Sequence, residues 1–171
     1  MKKNLVLTGM MGVGKSTIGK KLAKRLKLQF ADIDKIIEDK EKRSIKEIFE
    51  LKGESYFRKI EKKITLEILK KHGFVIALGG GAILNSSVRK EVNNSSLSFW
   101  LDLNLKTLVS RLKNVQKRPL LSELNLEKTV NKIYLERKKI YSESDFKIKC
   151  NDLDINEITK KIINLYENST N

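Results

Sequence analysis

Eight residues near the start of the chain, Gly9-Met10-Met11-Gly12-Val13-Gly14-Lys15-Ser16, fit the pattern Gly-x-x-x-x-Gly-Lys-Ser/Thr, and no other feature restricts the fold so sharply. The flanks carry much of the argument. An apolar run, Leu5-Val6-Leu7, precedes the pattern, and Ile18, Leu22 and Leu26 recur every four residues after it. A buried strand, a glycine-rich turn and an amphipathic helix are therefore expected in that order, which is the setting the pattern requires. The glycines let backbone amides turn inward around phosphate oxygens with no side chain in the way. The helix start adds unpaired N–H groups and the positive end of its dipole. On this reading Gly12, Val13, Gly14, Lys15, Ser16 and Thr17 line the phosphates of a nucleotide. Lys15 reaches the terminal phosphates and Ser16 offers its hydroxyl to Mg²⁺.

The rest of the chain repeats the same alternation. Short apolar runs lie around Phe30 to Ile33, Phe74 to Leu78, Leu97 to Leu101 and Phe146 to Cys150, each short enough for a buried parallel strand. Between them run helical stripes, one through Phe57, Ile60, Ile64 and Ile68, another through Leu105, Leu108, Val109 and Leu112. Ser44 with Glu47, and Asp154 with Glu157, have the spacing of capping boxes, while Gly53 and Gly73 stand where helices should stop. Strand and helix alternating five times predict an α/β fold: a parallel sheet with helices on both faces. With 171 residues, 40% of them hydrophobic, the chain suffices for one domain, 1–171, around one core. The stretch from 114 to 125 fits neither period and holds the only proline, Pro119, which predicts a mobile loop.

Charge narrows the partners. The net charge of +15 raises the question of nucleic acid, but 29 of the 36 basic residues are Lys and aromatics make up only 6%, so stacking platforms for bases are lacking. The excess is read as solvated helix faces, with no nucleic-acid partner. Cys150, the only cysteine, excludes an intramolecular disulfide and suits a reducing cytoplasm. The only histidine, His72, stands before Gly73 and is read as a helix-end residue rather than a metal ligand. No apolar run is long enough to cross a bilayer, and the apolar start is broken by Gly9, Gly12 and Gly14, so it is read as a strand and not as a signal peptide. A cytoplasmic monomer with no membrane partner is the expectation.

The phosphate-binding loop alone does not say what is phosphorylated. A GTPase reading lacks its base-recognition motif, since Asn131-Lys132-Ile133-Tyr134 has no closing Asp. Asp32 and Asp34, two apart at the end of the second strand, are expected on one face at the sheet edge where open α/β sheets bind ligands. One can hold metal-bound water while the other accepts a hydrogen bond from an attacking hydroxyl. Arg58, Arg111, Arg118 and Arg137 are candidates to face one site. In so Lys-rich a chain, a planar guanidinium points to a bidentate grip on carboxylate or phosphate. Glu54 and Glu61 flank Arg58 at i−4 and i+3, so a surface ion-pair stripe is the competing reading. Gly79-Gly80-Gly81 after the third strand is either a close-approach site for a ligand or a sharp turn. Asp102, ending the fourth apolar run, stands where a metal-binding strand-end carboxylate would, or is a plain strand end.

Taken together, the ordered set resembles shikimate kinase from the first strand to about Tyr141. It comprises the loop at 9 to 16, Asp32-x-Asp34, Gly53-Glu54-x-x-Phe57-Arg58-x-x-Glu61, the glycines at 79 to 81, Arg111, Arg118-Pro119-Leu120-Leu121, and Arg137 with Tyr141. The resemblance implies a three-layer P-loop kinase fold with five parallel strands ordered 2-3-1-4-5 and a mobile lid over 114–125. It further implies transfer of the ATP γ-phosphoryl group to the 3-hydroxyl of shikimate with Mg²⁺, on the route to aromatic amino acids. By the same resemblance Asp34, Arg58, Gly79, Gly80, Gly81 and Arg137 bind shikimate, Asp32 and Ser16 hold Mg²⁺, and Arg111 lies along the adenine. Lys15, Asp34 and Arg118 are then the catalytic residues, and Glu61 orients Arg58. Two alternatives stay open: a P-loop kinase for gluconate or a nucleoside monophosphate, and a basic nucleic-acid-binding domain switched by ATP.

Overall fold

The structure, a computed structural model, describes residues 3–113 and 125–170. Five strands, β1 (Asn4–Thr8), β2 (Gln29–Asp32), β3 (Phe74–Ala77), β4 (Ser96–Asp102) and β5 (Phe146–Lys149), form one sheet in the order β2-β3-β1-β4-β5. Every pairing is parallel. The helices around it are α1 (Lys15–Leu26), α2 (Ile33–Glu41), α3 (Ile45–Leu69), α4 (Ser86–Ser95), α5 (Leu105–Lys113), α6 (Leu126–Tyr141) and α7 (Ile155–Thr170), with a 3-10 turn at Ala82–Leu84. The expected α/β layout and the strand order implied by the resemblance are both present. The expected lid, 114–125, falls outside the described residues apart from Asn125, and Arg118 lies outside them.

β1 occupies the centre because its side chains tolerate burial on both faces. Leu5, Val6 and Leu7 are completely buried between β3 and β4, each contributing about 1.5–3 kcal/mol of apolar transfer. The α1 stripe of Ile18, Leu22 and Leu26 is buried as its spacing predicts, as are Leu108, Val109 and Leu112 of α5. Both capping boxes form: the Ser44 hydroxyl accepts from Glu47 N while Glu47 accepts from Ser44 N, and Asp154 and Glu157 reciprocate in the same way.

The glycine stops differ in detail from their reading. Gly53 does interrupt the helix, with φ 78° and ψ 168°, but α3 resumes at once beyond the kink. At the other end α3 finishes at Leu69, ahead of His72 and Gly73. The carbonyls of Leu69, its last residue, and of Lys71 just beyond accept hydrogen bonds from the Asn4 amide at 3.1 and 2.6 Å. Asn4 is wholly buried in β1 and must find partners there, so it takes over the capping that His72 was expected to provide. Gly73, with φ 77°, turns the chain into β3 instead.

An all-parallel sheet brings the carboxyl ends of its strands to one edge. The β1–α1 loop, the end of β2, the glycines after β3 and the end of β4 therefore meet around β1, where connections depart in both directions. No helix among the described residues is long and apolar enough to cross a membrane.

Candidate active site

The loop after β1 is shaped by contacts only glycine tolerates. A Cβ on Gly9, whose φ is 130°, would lie 2.5 Å from the Leu101 carbonyl oxygen, and Gly14 caps α1 at φ 102°. Lys15 Nζ donates to the Gly9 and Met10 carbonyls at 2.8 and 3.0 Å, which holds the ammonium across the loop. Ser16 Oγ donates to Asp32 Oδ2 at 2.5 Å. The other Asp32 oxygen accepts from Lys35 N at 3.3 Å, so Asp32 also caps α2. The two residues expected to hold Mg²⁺ are thus side by side, and a hydroxyl with a carboxylate is the hard-oxygen set that ion prefers. Among the described residues there is no group of three or more His, Cys, Asp and Glu placed to hold a metal. Such a donor pair fits an ion that keeps waters and phosphate oxygens as its remaining ligands.

The position of Asp34 corrects the sequence reading. β2 ends at Asp32, and Asp34 lies in the first turn of α2, so helix geometry rather than strand alternation places it. From there its carboxylate reaches the glycines after β3. A Cβ on Gly79 would stand 2.7 Å from Asp34 Oδ1 and 2.5 Å from Glu61 Oε1. A Cβ on Gly80 would stand 3.2 Å from Arg137 Nη1, and one on Gly81 would stand 2.6 Å from Arg58 Nη1. Each glycine therefore backs onto a charged side chain at the closest approach a bare Cα allows. The turn expected at Gly79-Gly80-Gly81 is present, with Ala82 N donating to the Gly79 carbonyl at 3.1 Å, and the bare backbone is what lets these charged side chains close on it.

Arg58 Nη1 donates to Glu61 at 2.7 Å, and Nε and Nη2 donate to Glu54 Oε1 at 3.2 and 3.1 Å. Both ion pairs read from spacing exist: the one with Glu54 lies at the surface, with that carboxylate 54% exposed, while the one with Glu61 runs inward, where Glu61 is only 3% exposed. Burial pushes the Glu61 carboxyl above the usual carboxylate range despite the pull of Arg58, and Asp34 nearby adds to the rise. Burial weighs against the Arg58 cation, yet Glu61 and Glu54 more than offset it and its proton is held more firmly than usual.

Arg111 lies on another side of the loop, with Nη1 3.4 Å from the carbonyls of Gly12 and Val13. It helps line a cleft of about 1070 Å³ together with Gly14, Thr17, Cys150 and Leu153. Arg58 and Arg137 thus share one cradle while Arg111 borders the neighbouring cleft. Asp102 is engaged elsewhere, by Lys147 at 3.0 Å and the Tyr134 hydroxyl at 3.1 Å, so among strand-end carboxylates it is Asp32 that meets Ser16. Tyr141 and the glycines both belong to the ordered set read from the sequence, but their pairing does not follow from it: Tyr141 Oη donates to the Gly80 carbonyl at 2.5 Å across 61 positions.

A phosphate loop at the crossover edge, a hydroxyl–carboxylate pair beside it, and a cradle of two guanidinium groups and a carboxylate on bare glycine backbone define a P-loop small-molecule kinase. Residues 11–167 match the family model described as Shikimate kinase, an extent that runs past Tyr141 into α7. The chain belongs to the shikimate kinase family. It is 42% identical over 161 residues to a shikimate kinase of Sulfurihydrogenibium sp., covering 94% of this chain and 96% of that one. The shikimate kinase of Acinetobacter baumannii, solved in complex with shikimate, superposes with a TM-score of 0.94 at 30% identity, over 99% of this chain and 95% of that one. The enzyme from Aquifex aeolicus gives a TM-score of 0.85 at 33% identity, over 97% of each chain.

Proposed function

We propose that the protein transfers the γ-phosphoryl group of ATP to the 3-hydroxyl of shikimate, giving shikimate 3-phosphate and ADP. The observation that carries this is the cradle beside the phosphate loop: Arg58 and Arg137 held against Gly81 and Gly80, with Asp34 facing Gly79. A small polyhydroxy acid needs a cationic grip for its carboxylate at one end and an acceptor for a hydroxyl proton at the other. The two guanidinium groups take the carboxylate, and Asp34 orients the attacking hydroxyl and receives its proton as the O–P bond forms and ADP leaves. The amides of Gly12 to Thr17 and the Lys15 ammonium bind the phosphate oxygens as negative charge shifts toward the leaving group. Positioning and electrostatic stabilisation supply most of the rate. Ser16 and Asp32 would hold Mg²⁺, which when bound neutralises charge on the phosphate oxygens. Arg111 lies along the adenine, and Arg118, outside the described residues, steadies the transferring group. The protein acts as a monomer in the cytoplasm.

The test is ADP release measured side by side with shikimate, gluconate and nucleoside monophosphates, with and without Mg²⁺. Release that depends on shikimate and Mg²⁺ is expected. Faster turnover with gluconate or a nucleoside monophosphate would overturn the substrate assignment while leaving the class of chemistry intact.

A further inference from the structure

Where the phosphate loop, the glycine turn and the acceptor arginine come together, the same side chain touches all three. Tyr141 ends α6 and is completely buried. Its hydroxyl donates to the Gly80 carbonyl at 2.5 Å and lies 4.0 Å from Met10 Sδ in the phosphate loop, and the guanidinium of Arg137, one turn earlier on the same helix, acts on it electrostatically. Gly80 is itself confined, since a Cβ there would stand 3.2 Å from Arg137 Nη1 and 3.5 Å from Met11 N. The ring is fixed in turn by packing on Trp100 of β4, with centroids 6.1 Å apart.

We infer that the Tyr141 hydroxyl is a positioning group for the acceptor: it sets where Gly80 and Arg137 stand relative to the phosphate loop. Three features support a role beyond filling space. The phenol ties together segments 61 and 131 positions distant in sequence, each bearing on a different substrate. Its hydrogen-bond partner is the middle glycine of the cradle. Its other polar neighbour is one of the two guanidinium groups gripping the acid. Removing the hydroxyl leaves a part-buried carbonyl short of its donor and frees the turn and Arg137 to relax together. A displacement of a few tenths of an ångström there misaligns the acceptor while the nucleotide side is unchanged. The inference rests on the proposed reaction with shikimate.

Tyr166 supplies the matched control. It is also buried, and its hydroxyl also donates to a backbone carbonyl, that of Lys3 just ahead of β1 and away from the site. Tyr141→Phe and Tyr166→Phe are expected to lower the melting temperature by similar amounts. Only Tyr141→Phe should raise the KM for shikimate, by about tenfold, with the KM for ATP within twofold of the wild type. Because Phe leaves a hydroxyl-sized gap, position 141 is also replaced by 4-fluorophenylalanine, which fills the gap without donating, and by 4-aminophenylalanine, which fills it and donates. The amino variant should recover the shikimate KM and the fluoro variant should not. Equal shikimate KM in these two, or a wild-type value in Tyr141→Phe, overturns the inference. A wild-type protein that does not turn over shikimate instead overturns the reaction on which it rests.

Discussion

Replacing Gly81 with Ala isolates the cradle from the fold. Gly81 has φ −105° and ψ −12°, so Ala adopts that backbone without strain, and the whole effect comes from the new methyl group. That carbon would stand 2.6 Å from Arg58 Nη1, 2.9 Å from Cζ and 3.0 Å from Nη2. To restore ordinary contact the guanidinium must retreat by about 0.8 Å. Being the end of a flexible side chain it can do so cheaply, and Ala also narrows the unfolded ensemble. Stability should therefore stay within about 1 kcal/mol of the wild type. Function should not. A fork moved this far loses one limb of its charge-assisted grip on the carboxylate, about 1.5–3 kcal/mol, or about 10- to 150-fold in the KM for shikimate. Coupled ADP-release kinetics with each substrate varied in turn, alongside thermal melts, provide the readout. A shikimate KM within twofold of the wild type, or an equal rise in the KM for ATP, would rule out an acceptor grip by Arg58 and leave the glycines as a mere turn.

Three further perturbations probe other parts of the site. Lys15→Ala should lower kcat by about 10²- to 10³-fold with an unchanged far-ultraviolet spectrum, and near-normal turnover would remove the lysine from the chemistry. Glu61→Gln should separate stability from function. The folded protein holds the Glu61 proton more tightly than the unfolded chain, so this group withdraws stability as pH rises from about 4.5 through its raised value. Calorimetry from pH 4 to 7 should show the melting temperature of Glu61→Gln gaining on the wild type with rising pH, while its KM for shikimate rises because Arg58 loses a charged partner. A constant gap across that range would contradict the assigned shift. Burial and the Asp102 carboxylate push the Cys150 thiol up to about 11, so alkylation by iodoacetamide at pH 8, followed by mass spectrometry, should be slow in the folded protein and rapid in urea.

How far each of these features could be read from the chain depends on the sequence distance involved. The phosphate loop was legible because eight consecutive residues carry it and its flanks show the periods of a strand and a helix. The capping boxes were legible for the same reason, each being closed over three residues. Asp34 was placed at the right edge by the wrong geometry, because a two-residue spacing reads as strand alternation until one knows that β2 stops at Asp32. The Arg58 ion pairs were legible as i−4 and i+3 neighbours, but not the burial of Glu61, which sets that pair apart from the exposed one with Glu54.

Backbone preference and apolar periodicity act over one or two turns of chain, so the order of residues alone is enough to fix the local elements and the phosphate loop. Tertiary structure decided the rest. Strand order placed β3 beside β1, and only then did Gly79, Gly80 and Gly81 meet Asp34, Arg137 and Arg58 from three different helices. It also decided that Asn4 caps α3 and that Tyr141 reaches Gly80. Such contacts join residues from 23 to 65 positions apart, where no local pattern records the pairing and only the packing of helices on this strand order can select it.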